Sequence, residues 1–223
     1  MAARSGGRRK MVPSISLKNA GVWPVFSVFF LEAFVIGNWI PRIPFIKDQF
    51  GSSASQLGFN LLLLAFGTLI AFISVGWFLR RTGLRIAGMI ALPAWAILIF
   101  SAPLMPNALA LGVLLVCAGV SVGVQEVAMN TAAENVAKNT GHQIMSRAHG
   151  CWSLGTLAGA LVGSGFILAE IDMWEHFLML MPITVIAGVW ASTGLQDGEK
   201  SPETSEDVTS GPFKLPRKSI MLL

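Results

Sequence analysis

The chain has 223 residues, of which 53 % are hydrophobic and only 13 % are charged, and its mean hydropathy is +0.64. A soluble domain usually carries about 25 % charged residues, so this composition excludes a disordered chain and argues against soluble enzymes, nucleic-acid-binding modules and disulfide scaffolds. The excess of apolar residues instead predicts an integral membrane protein whose solvent is the lipid bilayer and which binds no nucleic acid. The length leaves room for six membrane spans of about 20 residues each, but not for twelve.

Six apolar segments follow one another along the chain, and each is long enough to cross a bilayer. An all-α fold is predicted because a membrane-spanning backbone must satisfy its own hydrogen bonds, and because the alternation typical of membrane barrels is missing. A basic tail at residues 1–20 precedes the six-helix bundle, which spans residues 21–194. The predicted helices cover residues 21–40, 57–79, 84–102, 108–131, 146–168 and 173–193.

The positions of the basic residues predict the orientation of these helices. Cytoplasmic loops of membrane proteins carry an excess of Lys and Arg. If the N-terminus is cytoplasmic, fourteen of the sixteen basic residues lie on the cytoplasmic side, and only Arg42 and Lys47 lie outside. We therefore expect an even number of spans with both termini in the cytoplasm.

The chain changes character after the sixth predicted helix. Residues 195–216 are rich in Gly, Ser, Pro, Glu and Asp, which predicts a flexible cytoplasmic linker. Residues 217–223 join a basic flank to an apolar run, a pattern typical of the start of a seventh helix. We therefore expect a fragment, the first half of a longer protein whose C-terminal six-helix half is missing. The alternative is a short apolar tail after a complete six-helix protein.

Two acidic residues lie inside predicted spans, where an ionisable group costs about 2.5–3.5 kcal/mol and needs a reason. Glu32 lies about 16 Å along the first helix, near the bilayer midplane, at about 1.5 Å per residue. Glu126 lies in the fourth helix, and Asn130, four residues later, shares its face. Such a carboxylate can bind or release a proton near neutral pH, and the amide can hydrogen-bond a polar solute.

Two further pairs of residues complete the candidate site. Gln125 and Asn38 are amides inside predicted spans, and Asn38 is the type of residue that often forms hydrogen bonds between helices. Arg147 and His149 begin the fifth helix and form a predicted polar cluster with Glu126. In the competing structural interpretation, Glu126 pairs with Arg147 or His149 and only fixes the fourth helix against the fifth.

Motifs for enzymatic chemistry are missing from the sequence. Cys117 and Cys151 have neither metal-site spacing nor the pattern of a disulfide framework. No zinc-protease His-Glu-x-x-His, Gly-x-Ser-x-Gly or phosphate-binding glycine loop occurs. We therefore expect neither an enzyme nor a bound metal or cofactor.

The loop between the second and third predicted helices resembles a motif of the major facilitator superfamily of transporters. That motif reads Gly-x-x-x-Asp-(Arg/Lys)-x-Gly-x-(Arg/Lys), and Arg80 stands where the superfamily has an aspartate that helps to latch the inward gate. The resemblance implies a gating loop that lacks this acidic latch. The residues that match the motif are Gly76, Arg81, Gly83 and Arg85.

The segment from Glu126 to Asn130 resembles the Glu-x-Ala-x-Asn of the fucose-permease-like branch, where the glutamate serves sugar binding and proton coupling. Residues 39–47 and 144–150 resemble YbjJ-type members of that branch. The resemblance covers about residues 21–195 and implies the N-terminal bundle of the superfamily fold, an inverted three-plus-three repeat. It also implies that the first and fourth helices line a central cavity between two halves.

This resemblance implies alternating-access transport, in the bacterial cytoplasmic (inner) membrane, of a small polar solute such as a sugar together with protons. Two alternatives remain open. One is a non-transporting or homodimerising six-helix membrane protein. The other is a drug or metabolite efflux transporter, although the Gly-Pro motif of drug/proton antiporters is missing from the fifth helix.

Overall fold

The computed structural model describes residues 21–197, and every regular element in this range is helical. Two 3-10 turns, Ile40–Arg42 and Ala102–Leu104, follow the first and third α-helices. The predicted basic tail, most of the predicted linker and the predicted start of a seventh helix lie outside the described residues. The α-helices are α1 (Val22–Trp39), α2 (Ile43–Gln49), α3 (Ala54–Phe100), α4 (Ala108–Thr140), α5 (Met145–Leu168) and α6 (Met173–Thr193).

The second and third predicted helices form one element, α3, of 47 residues. Its dihedral angles leave the helical region at Gly83, where φ is 77° and ψ is 169°, a conformation that favours glycine. A kink at this residue therefore separates a first arm (residues 54–82) from a second arm (residues 84–100). The first arm begins three residues earlier than predicted because Ser53 and Gln56 form a capping box at its start.

Five elements of the described chain are long and apolar enough to cross a membrane, namely α1 together with α2, then α3, α4, α5 and α6. The prediction of an all-α integral membrane protein agrees with this finding. The number of separate apolar helices is five rather than six because the two arms of α3 are counted once.

Two further elements differ from the prediction: α2 lies where no helix was predicted, and α4 is longer than predicted. α4 continues to Thr140, nine residues beyond its predicted end, and stops at Gly141, whose φ is 70°. The extension is polar but rich in helix-forming residues, so hydropathy falls there before helicity does. α5 and α6 begin within one residue of their predicted starts.

Glycines make the closest contacts between helices. A side chain at Gly119 of α4 would collide with the backbone carbonyl of Leu64 in the first arm of α3. A side chain at Gly155 of α5 would likewise collide with the carbonyl of Phe30 in α1. Small residues of this kind let membrane helices approach backbone to backbone. The glycines therefore fix two tight pairs, the first arm of α3 with α4, and α1 with α5.

The register of these contacts shows which loops share an end of the bundle. Asn60 meets Gly112 and Leu64 meets Gly119, so the first arm of α3 runs parallel to α4. Contacts of the same kind make α1 parallel to α5 and the second arm of α3 antiparallel to α6. We call one end the basic end, and it carries residues 80–85, 138–147, 21 and 197. The opposite end carries residues 40–54, 100–108 and 168–173.

The outer surface of the bundle is strongly apolar. Ile73 is 89 % exposed, Leu109 is 80 % exposed and Leu168 is 85 % exposed, while Phe29 and Trp95 are buried inside. Soluble monomers rarely expose contiguous apolar patches larger than a few hundred Å². The surface is therefore suited to lipid.

Candidate functional site

Glu32 is a buried carboxylate in the middle of α1, with only 3 % of its surface exposed. Its Oε2 atom accepts a hydrogen bond of 2.5 Å from Nε1 of Trp152 on α5. Its backbone carbonyl accepts a second one, of 3.3 Å, from Nε1 of Trp95 on the second arm of α3. Two indoles from two neighbouring helices therefore hold the residue, one at the carboxylate and one at the backbone.

Glu126 and Asn130 lie together on α4, as the four-residue spacing predicts. Both are half-buried, and they line a cavity of about 280 Å³ that Phe72, Thr131 and Met145 also line. Asn130 Nδ2 donates to the backbone carbonyl of Glu126 at 2.8 Å, which orients the amide along the helix. The arrangement offers two carboxylates, an amide and a hydroxyl to whatever enters the cavity, and the second carboxylate, Glu134, is paired with Lys138.

Glu32 on α1 and Glu126 on α4 are the two acidic residues that the sequence places inside predicted spans. Glu126 lies near enough to Glu32 for their charges to act on each other, and His149 lies near Glu126. We call Glu32, Glu126 and Trp152 the acid cluster.

Arg147 and His149 lie at the start of α5, and both are exposed. The ring of His149 packs edge-on against Phe29, with 5.3 Å between the ring centroids. Within residues 21–197 the ion pairs are Lys47–Asp48 and Lys138–Glu134, so Glu126 forms no salt bridge with Arg147 or His149 there. Direct ion pairing of Glu126 is therefore not seen in this range, but His149 lies near it, and the structural interpretation stays a prediction.

Gln125 is completely buried in α4 and does not line the cavity of Glu126. Neither its amide nitrogen nor its carbonyl oxygen has a hydrogen-bond partner among the described residues. A buried polar group without a partner costs about 1–3 kcal/mol. The structure therefore separates Gln125 from the adjacent Glu126 and places it in the packed interior.

Asn38 belongs to a different set of residues, at the opposite end of the bundle. Its Oδ1 lies 3.2 Å from Nε2 of His176 on α6, and its Nδ2 donates to the carbonyl of Phe34 at 2.8 Å. Arg42 donates from Nε to Nδ1 of His176 at 3.3 Å and from Nη2 to the carbonyl of Ile171 at 2.7 Å. We call Asn38, Arg42 and His176 the arginine cluster, and all three are buried.

The donor and acceptor roles of His176 in the arginine cluster follow from the chemistry of arginine. The Nε atom of arginine only donates, so Nδ1 of His176 must accept. The imidazole is therefore neutral with its proton on Nε2, and it donates to Asn38. His176 also stacks on Phe166, with 4.2 Å between the ring centroids. A second cavity, of about 550 Å³, lies beside Arg42, and neither Glu32 nor Glu126 lines it.

The loop predicted to act in gating lies at the basic end. Arg80, Arg81 and Arg85 are exposed, and the guanidinium of Arg81 lies 4.3 Å above the ring of Trp77. Asp197, after α6, accepts a hydrogen bond of 2.5 Å from the backbone N–H of Leu84. A carboxylate therefore does reach this loop, although it comes from the segment after α6 and not from the position of Arg80.

Sequence reasoning missed Trp152, Arg42 and His176 as members of polar clusters. One signal for Trp152 was present, because it lies three residues before Gly155, and a large side chain is unexpected on a helix face lined with glycine. One signal for Arg42 was present as well, since it is one of only two basic residues predicted outside the membrane. His176 carried none, because its partners lie more than 130 residues away in the chain.

Known proteins resemble this chain over most of its length. An uncharacterized transporter of Sinorhizobium fredii, y4wD, is 31 % identical over 196 residues, which are 87 % of this chain and 51 % of that protein. The membrane protein MosC of Rhizobium meliloti is 30 % identical over 182 residues, 78 % of this chain and 42 % of that protein. An uncharacterized MFS-type transporter of Yersinia pestis is 28 % identical over 199 residues, 87 % of this chain and 50 % of that protein.

The chain thus spans about half the length of the curated relatives that it matches. No solved structure shows significant similarity to it. The family model described as Major Facilitator Superfamily matches residues 25–222, which is most of the chain. The superfamily is one of membrane transporters rather than enzymes. The match, the transporter-named relatives and the apolar helical bundle lead to one conclusion: this chain belongs to the Major Facilitator Superfamily.

Proposed function

We propose that this chain is the N-terminal half of a proton-coupled secondary transporter that moves a small polar solute across the membrane by alternating access. The observation that supports this most directly is the acid cluster, with one carboxylate buried on α1 and a second lining a cavity on α4. Ionisable groups at membrane depth are rare and typically belong to proton relays or substrate pathways. The partners would be the solute, protons and the C-terminal half.

In this proposal the bundle has six spans, because each arm of α3 crosses the membrane once. A straight helix of 47 residues would be about 70 Å long at about 1.5 Å per residue, far more than the roughly 30 Å of the hydrocarbon core. The kink at Gly83 lies among Arg80, Arg81 and Arg85, which favour the cytoplasmic side. Both termini would then be cytoplasmic, in the inner membrane of a bacterium.

The lining of the α4 cavity favours a hydroxyl-rich, sugar-like solute. Glu126 and Glu134 offer acceptors, and Asn130 offers one remaining amide N–H and a carbonyl. The hydroxyl of Thr131 donates to the carbonyl of Val127 and leaves its oxygen as a further acceptor. Mixed donors and acceptors of this kind match hydroxyl groups, which both donate and accept. Phe72 adds an aromatic ring to the same lining, as an apolar complement to the C–H face of a sugar ring.

The test uses the complete product of the reading frame that carries this chain, reconstituted in proteoliposomes with an acidic exterior. We expect one or more sugars or polyols from a panel to accumulate inside, with protons entering together with the solute. Glu126→Gln should abolish this accumulation, since the amide does not release a proton, whereas the exposed Glu170→Gln serves as the control and should leave it unchanged.

Two results would contradict the proposal. One is accumulation that persists in Glu126→Gln or after an uncoupler collapses the proton gradient. The other is movement of a hydrophobic cationic dye in place of every polar solute, which would instead support an efflux transporter.

A further inference from the structure

The carboxylate of Glu32 has one side-chain partner among the described residues, and that partner comes from another helix. Trp152 Nε1 lies 2.5 Å from Glu32 Oε2, whereas the second carboxylate oxygen has no hydrogen-bond partner in residues 21–197. An ionised carboxylate accepts about four hydrogen bonds when it is fully satisfied. The indole N–H is therefore the main polar contact that holds this side chain.

Trp152 lies one turn before a stretch in which α1 and α5 are in backbone contact. One turn later on α5, Gly155 packs against Phe30, and Gly159 packs against Phe34. These contacts leave no room for α5 to rotate or shift against α1 while the pair stays closed. The indole N–H is therefore delivered to Glu32 from a fixed position, and a separation of the two helices would break the bond.

An indole N–H only donates, and this fixes how it responds to a proton on Glu32. It binds an ionised carboxylate through a charge-assisted hydrogen bond, which is roughly twice as strong as a neutral one. A protonated Glu32 keeps an acceptor for Trp152 but loses the charge assistance, and it gains a donor that the indole has no acceptor to receive. Proton uptake therefore weakens the contact between α1 and α5.

The groups around Glu32 leave Trp152 as its direct side-chain partner. The second arm of α3 contributes Trp95, which binds only the backbone carbonyl of Glu32. α4 contributes Glu126, the other carboxylate of the acid cluster, and α5 contributes His149, which lies near Glu126. The cationic residues of the described chain lie at the two ends of the bundle, away from this position.

We propose that Trp152 is the positioning residue of Glu32, the buried carboxylate of the acid cluster: its indole N–H holds ionised Glu32 in place and loosens its hold when Glu32 takes up a proton, so that protonation is transmitted to the packing of α1 against α5. This inference rests on the proposed proton coupling. To the proposed function it adds Trp152, which is not a carboxylate, and the helix pair α1 and α5 as the contact that protonation changes.

The first experiment follows the indole N–H groups directly. The full chain carries seven tryptophans, so ¹⁵N-indole labelling in nanodiscs gives one N–H resonance for each. Trp152→Phe assigns the resonance of Trp152 by its loss. We expect this resonance to move with pH in a single transition. The transition should disappear in Glu32→Gln, because glutamate changes charge with pH whereas glutamine does not.

Trp95 is the matched control, since it binds the same residue at an atom that does not titrate. Its resonance should move several-fold less than that of Trp152. A Trp152 resonance that responds neither to pH between 5 and 9 nor to Glu32→Gln would overturn the proposal. If Trp152→Phe does not fold, the Trp152 resonance can still be identified as the one that shifts in Glu32→Gln. Its dependence on pH in the otherwise unchanged chain then tests the proposal in the same way.

The second experiment separates this inference from the proposed function. In the complete transporter, Trp152→Phe keeps an aromatic ring but lacks the N–H, and we expect gradient-driven accumulation to fall about tenfold, the factor expected for one charge-assisted hydrogen bond. Solute counterflow without a gradient should fall less than gradient-driven accumulation, because exchange requires no net proton release. Accumulation that depends on Glu32 but not on Trp152 would retain the proposed function and reject the positioning role. A Trp152 resonance that moves with pH in a protein that transports no solute would retain the positioning role and reject the proposed function.

Discussion

Two buried polar clusters lie on the same helix, with Glu32 and Asn38 only six residues apart on α1, yet they are built in opposite ways. The arginine cluster is cross-linked, because Arg42 binds both α6 and the loop before it and His176 in turn binds Asn38. The acid cluster is open, because a carboxylate with room for several hydrogen bonds receives one from a side chain. The difference indicates that one cluster fixes the structure and that the other is able to change state.

The chemistry of the charged groups explains this contrast. Arginine stays protonated under all physiological conditions, so Arg42 has a single state and its partners are oriented around it. A glutamate has two states that differ in charge, and the neutral one is accessible where water is scarce. A site that takes up and releases protons needs the second kind of group, with partners few enough to let both states exist.

The largest effect is expected when the arginine cluster is broken at its centre. Arg42→Ala removes two hydrogen bonds and leaves His176 Nδ1 and the carbonyl of Ile171 without their donor. We expect the free energy of unfolding to fall by about 2–3 kcal/mol, since each buried group left unpaired costs about 1–3 kcal/mol. The measurement is unfolding of the chain in mixed micelles as the SDS fraction rises, followed by circular dichroism.

Lys47 provides the matched control for Arg42, because it is the other basic residue at the opposite end and its side chain is 40 % exposed. Lys47→Ala should change the free energy of unfolding by less than about 0.5 kcal/mol. Equal effects of the two substitutions would show that the arginine cluster is not a structural anchor, and the comparison between the clusters would fail.

A smaller effect is expected for His176→Phe. The ring of phenylalanine keeps the stack on Phe166 but offers no partner to Arg42 or Asn38. We expect a loss of about 1–2 kcal/mol, because Arg42 still binds Ile171 and hydrogen bonds between membrane helices contribute about 0.6 kcal/mol on average. The same SDS titration measures this loss, with the exposed His142→Phe as the control. An increase in the free energy of unfolding in His176→Phe would show that the imidazole destabilises the bundle.

The two clusters also show what the sequence reveals and what it hides. The depth of Glu32 was predictable, because counting residues along a helix gives its height in the membrane. The pairing of Glu126 with Asn130 was predictable as well, since a spacing of four places both on one helix face. These are properties of a single helix, and a single segment of sequence contains them.

Contacts between helices were not predictable in the same way. Trp152 meets Glu32, and His176 meets Arg42, only because glycines set the register of α1 against α5 and because α6 returns beside α1. The end of α4 was misplaced for a related reason. The fall in hydropathy after residue 131 predicts a loop, whereas the helix propensity of these residues continues the helix as far as Gly141.

The smallest effect on stability is expected for Glu32→Gln, although the residue is as deeply buried as Arg42. Glutamine keeps an oxygen that accepts the N–H of Trp152, and it removes a charge that is costly to bury and poorly satisfied. We expect the free energy of unfolding to change by less than about 1 kcal/mol, in either direction, in the SDS titration. Glu32→Ala is the control for packing, because it leaves Trp152 without a partner and opens a void, and it should be the less stable of the two variants. A loss from Glu32→Gln as large as that from Arg42→Ala would mean that the ionised carboxylate holds the bundle together. A tolerant response is the behaviour of a residue whose charge must come and go without unfolding the helices around it.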